Sequence, residues 1–130
     1  MGFFSRLSTL GNRTLARSIA ESFVETYLQI QQENLEASKE EQIRNTLRRM
    51  EKWSSAKEFA DSDFLSDEEN LDIKFVIYNL AIEESPVNRN RLSIPAKEID
   101  AYNDEIISVL NEHNIYEKSW IWFAEQYYCH

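Results

Sequence analysis

Two histidines, one cysteine and a surplus of carboxylates are the chemically able residues of this chain, and their spacing decides what chemistry is open to it. His113 falls at the end of a helix-forming segment, where an imidazole meets the last carbonyls in a structural role. Cys129 and His130 are neighbours at the C-terminus. A nucleophile and its base need a third, orienting group on a rigid support, which a chain end does not supply. A carboxylate-bridged di-metal site in a bundle asks for Glu-x-x-His on two helices. The residues three before His113 and His130 are Leu110 and Tyr127, so both matches fail.

The acids fare little better as metal ligands. Residues 61–72 can be laid over a calcium loop, with Asp61, Asp63 and Asp67 at ligand positions. Leu65 then stands where a ligand should, Ser66 replaces the turn glycine and Asp72 replaces the bidentate glutamate. Helix capping explains the same acids without remainder. A Mg²⁺-dependent all-α hydrolase would hold its metal between paired acids, and Glu33-x-x-Glu36 with Glu69-x-x-Asp72 offers such pairs. One pair ends the first expected helix and the other begins the third. In an up-down arrangement those ends lie about 30 Å apart for a helix of some 20 residues. No catalytic residue and no metal site is assigned.

Glycine excludes further classes. The chain has only Gly2 and Gly11, so residues 12–130 have none. Tight hairpins and phosphate-cradling loops depend on glycine's access to φ > 0. A Walker loop and a dinucleotide fingerprint are therefore absent, and no cofactor is expected. A single cysteine excludes an intramolecular disulfide and suits a reducing, cytoplasmic setting.

What remains is binding. The net charge is −9, yet residues 1–20 carry Arg6, Arg13 and Arg17 and no acid, so the acidity lies in the body. An acidic body attracts basic partners and repels nucleic acid. Arg44, Arg48 and Lys52 recur every four residues, with Arg49 alongside, and could track phosphates. Interleaved Glu40, Glu41, Glu51 and Glu58 favour a solvated face, or one that meets an acidic protein or the chain's own acidic helices. Phe3, Phe4, Leu7 and Leu10 make an amphipathic arm with the arginines around them. It could lie on an anionic membrane through residues 3–13, dock on its own bundle or on a second copy of the chain, or stay flexible. Trp120, Phe123 and Tyr127 share one face of the last segment, which leaves Trp122 and Tyr128 as candidate anchors for a partner.

The elements that position these residues read as helices throughout. After an arm at 1–11, Gly11-Asn12 should break the chain, and one helical domain should fill 12–130. Leu15, Ile19, Phe23, Tyr27 and Ile30 stripe a helix over about 13–36, with Leu35 widening the stripe. Ser38 and Glu41 form a capping box for a helix reaching about Ala60. Ser66 and Glu69 form a second box, opening a nearly all-apolar central helix over 67–84. A fourth helix should run from Pro95 to His113 with Asn114 as its left-handed cap, and a last helix should carry Tyr116, Trp120, Phe123 and Tyr127. The sequence thus predicts an all-α, single-domain bundle of about five helices. Its expected function is that of a small acidic interaction module, of the inhibitor, immunity or adaptor kind, binding a basic protein. A peripheral membrane or assembly protein using the arm is the alternative, ahead of a Mg²⁺-dependent hydrolase.

Overall fold

The computed structural model describes residues 2–85 and 96–115, with side chains for 13–85 and 100–115. All regular structure among them is helical: α1 (Gly2–Glu33), α2 (Lys39–Arg49), α3 (Ser54–Asp61), α4 (Ile73–Glu84) and α5 (Ala96–Glu112). Two 3₁₀ turns, Asp63–Ser66 and Glu68–Leu71, lead from α3 to α4. The all-α bundle expected from the glycine count and the helical spacing is what the chain forms. The expected last helix, with Trp122 and Tyr128, lies outside the described residues.

The periodic apolar residues become the core. Ile19, Phe23, Val24, Ile43, Leu47, Val76, Ile77, Leu80, Tyr102, Ile106 and Leu110 are all fully buried in one cluster. Each large apolar side chain removed from water contributes roughly 1.5–3 kcal/mol before the entropy of ordering is set against it. α1 packs on α2, α4 and α5, while α4 packs on α1, α3 and α5, so these two helices share the centre. The fully buried residues of α4, Lys74 and Glu84 among them, lie on one face, while Phe75, Tyr78, Asn79 and Ile82 are half-buried and Glu83 is exposed, so the helix is central without being buried all round.

Several termini follow the sequence signals. The Ser38 hydroxyl accepts the Glu41 amide at 3.2 Å and starts α2. Asn114 takes φ = 60°, and Ile115 N–H returns to Leu110 O at 3.0 Å while Asn114 N–H returns to Asn111 O at 3.1 Å. That pair of bonds is a Schellman ending, completed by Ile115 packing against the core.

Other boundaries differ. The break expected at Gly11-Asn12 is absent: α1 runs unbroken from Gly2 to Glu33. A helix-interior glycine costs only about 1 kcal/mol against alanine, which a long helix absorbs. α1 also stops before Leu35, which is 83 % exposed rather than part of the stripe. The central α-helix begins at Ile73, six residues after the expected start. Asp67 caps the second 3₁₀ turn through Glu69 N–H, and Asp72 caps α4 through the amides of Lys74 and Phe75. Asp72 is the nearest preceding acid to the apolar run, and it takes the role expected of Ser66.

The helix expected from Ser38 to Ala60 folds back on itself. Met50 leaves helical geometry, and turns closed by Trp53 N–H on Met50 O and Ala56 N–H on Trp53 O start α3. Arg44 and Ala60 would stand about 24 Å apart on a continuous helix, at 1.5 Å per residue. Here the Arg44 guanidinium donates to Ala60 O at 2.6 Å.

One pH effect arises from the packing of α4 on α5. Burial, and then the nearby Tyr102, raise the Tyr78 phenol from 10.0 to about 12. Tyr78 loses its proton less readily folded than unfolded, so its contribution to stability is complete below pH 10 and is lost as pH rises through about 12. Two units correspond to at most about 2.7 kcal/mol, reduced by solvent reaching the half-buried ring. Base titration followed by circular dichroism should show stability falling across that window, and the fall should be smaller in Tyr78→Phe.

Candidate binding groove

α3 is eight residues long, too short to hold its shape alone. Its ends are secured by charged side chains from elsewhere in the chain. At the N-terminus, the Glu84 carboxylate from α4 accepts the Ser54 hydroxyl at 3.0 Å and the Ser55 amide. Trp53, the residue preceding α3, offers no side-chain cap of its own. At the C-terminus, Arg44 from α2 donates to Ala60 O at 2.6 Å and Ser62 O at 2.9 Å, and is itself held by Glu40 at 2.8 Å. A negative group at the first amides and a positive one at the last carbonyls both match the helix dipole.

Held this way, α3 and the Ser62 that follows it present Ser55, Glu58, Phe59 and Ser62 on one face, at helical spacing, towards Asn79 and Glu83 on α4. Phe64 from the first 3₁₀ turn also lines the groove between them, which has a volume of about 340 Å³. Phe64 meets Phe59 edge to face, with centroids 5.9 Å apart, and stacks on Phe75 at 5.6 Å. Ser62 donates its hydroxyl to Phe59 O at 2.8 Å, and Asn79 donates its amide to Phe75 O at 2.8 Å. The groove therefore combines half-buried aromatic walls with two exposed carboxylates, Glu58 and Glu83, which have no cation partner among the described residues.

The basic stripe is largely engaged within the chain. Arg44 is the clamp just described. Arg48 lies 3.4 Å from Asp61, Arg49 bonds Glu33 at 2.8 Å, and the Lys52 ammonium stands 5.0 Å from the Trp53 ring centroid. Arg49 holds the Glu33 carboxyl below its ordinary range through that hydrogen bond. On α1, Arg17 reaches Glu21, Glu105 and Glu112, tying α1 to α5. Phe3, Phe4 and Leu7 belong to α1, but their side chains, like Trp122 and Tyr128, lie outside the described ones.

The paired acids serve other ends. Glu33 is held by Arg49, and Asp72 caps α4, its carboxyl raised above the ordinary range chiefly by burial. Among the described residues, no group of three or more His, Cys, Asp or Glu could hold a metal ion. No described helix is long and apolar enough to cross a membrane.

The groove was not anticipated from the sequence. Ser55, Glu58, Phe59 and Ser62 do repeat at helical spacing, but on a straight helix to Ala60 that face has no α4 opposite it. The fold-back at Met50–Trp53 has no glycine or proline to announce it.

Fold and site together define a small all-α helical bundle with an acidic, aromatic-walled groove. Compared with known proteins, the chain matches no family model, no curated protein and no solved structure.

Proposed function

We propose that this protein is a small acidic interaction module that engages a basic partner protein. The observation that carries the reading is the division of charge among its side chains. Arg17, Arg44, Arg48 and Arg49 are each taken up by acids of the same chain, and Lys74 is buried. Glu58, Asp63, Glu68, Glu69 and Glu83 are exposed and, among the described residues, form no ion pair. Four arginines are thus held within the chain, and although Arg13, Lys39 and Lys52 are exposed elsewhere, the stretch of α3, the 3₁₀ turns and the end of α4 sets these five exposed acids against one exposed cation, Lys57. Such a surface steers a cationic partner to encounter, and the complex weakens as salt screens it.

The test is affinity capture from the source cells at low and high salt, followed by reconstitution with the purified partner. A stoichiometric complex with one basic protein, dissociated at high salt, is the expected result. Absence of a specific partner at either salt contradicts the reading.

A further inference from the structure

We propose that the groove between α3 and α4 is a subsite for one arginine side chain of that basic partner. The inference rests on the interaction-module reading and assigns the residue class that the groove would recognise. At about 340 Å³ it is at the small end of ligand clefts, suited to a single long side chain rather than a folded segment. Its chemistry matches a guanidinium on an apolar stem. Phe59 and Phe64 offer ring surface along which the stem and the flat cation can lie. Glu58 and Glu83 rise from the two opposed helices, so a cation between the walls meets a carboxylate on either side. Asn79 commits its amide nitrogen to Phe75 O, which leaves its carbonyl oxygen as a neutral acceptor near Glu83.

Arginine fits this set better than lysine. Its five donors in a planar fork can serve two carboxylates and an amide at once, and its weakly hydrated plane stacks on aromatic rings. Lysine would bring one strongly hydrated point charge to a site whose acceptors are spread over two walls. The arginines of this chain themselves pair with carboxylates, whereas Glu58 and Glu83 form no ion pair among the described residues.

The experiment is a ¹H–¹⁵N titration of the full chain with a short blocked alanine peptide carrying one central arginine. The control peptide carries citrulline, which keeps the shape of arginine and removes its charge. Shifts should concentrate at Ser55, Glu58, Phe59, Ser62, Asn79 and Glu83, with a dissociation constant on the order of 1 mM for a single side chain. The citrulline peptide should bind at least about tenfold more weakly, as should the arginine peptide to the Glu58→Gln/Glu83→Gln variant. Both substituted residues are exposed, and circular dichroism checks that the variant is folded. Shifts scattered over the acidic surface, equal binding of the citrulline peptide, or undiminished binding to the variant would each overturn the assignment. If the arginine peptide misses the groove while a basic partner is still captured, the subsite falls and the interaction module stands. If it binds the groove but no partner is captured, the module reading falls and the subsite stands.

Discussion

Replacing Arg44 with alanine should lower the unfolding free energy by about 2–4 kcal/mol, measured by urea denaturation at constant m-value. The size follows from what the side chain does. Its side chain is only 18 % exposed, and its guanidinium serves two backbone carbonyls, Ala60 and Ser62, together with the Glu40 carboxylate. Truncation removes charge-assisted bonds and leaves the carbonyl of fully buried Ala60 without its donor. Arg48→Ala is the matched control: its pair with Asp61 is exposed on both sides, and such surface pairs contribute only about 0–1 kcal/mol. Arg44→Lys should recover only part of the loss, because one ammonium cannot reproduce a fork spread over two carbonyls and a carboxylate. The loss should also reach the groove, since Phe59 lies in the last turn of α3 and Ser62 directly after it, where Arg44 binds.

Glu84→Ala should cost about 1–3 kcal/mol in the same assay, through the opposite end of α3. The residue is 7 % exposed, and its carboxylate accepts both the Ser54 hydroxyl and the Ser55 amide. Without it, the first amides of a short helix lose their long-range cap, and Trp53 supplies no replacement. Glu84→Gln retains an acceptor of the same shape and should lose less. Glu83→Ala, one residue earlier but exposed, should change stability little, which separates capping from the general acidity of α4.

The contrast between Arg44 and Glu84 on one side and their neighbours on the other marks what the sequence could and could not disclose. Features set by residues close in sequence were legible. The Ser38 cap, the left-handed Asn114 and the apolar faces of α1 and α5 all rest on spacings of one helical turn or two. The rest depends on distant partners. Nothing between Met50 and Trp53 forbids a continuous helix. The chain turns there while Glu84, some thirty residues on, caps the new helix and Arg44 takes its far end. Arg44 therefore looked like one member of a surface stripe, and Glu84 like one more acid at the end of a helix. The groove inherits the same difficulty, because its two walls meet only once α3 has folded back towards α4.

The central claim is that α3, with the groove it presents, is held in place by these two charged side chains. Native-state hydrogen exchange at the amides of residues 57–62 tests it most directly. In the unsubstituted protein these amides should be protected, and Arg44→Ala and Glu84→Ala should each reduce that protection by about tenfold or more, tenfold corresponding to about 1.4 kcal/mol of opening free energy. Amides on α3 that exchange freely in the unsubstituted protein, or that keep their protection in both variants, would contradict the account.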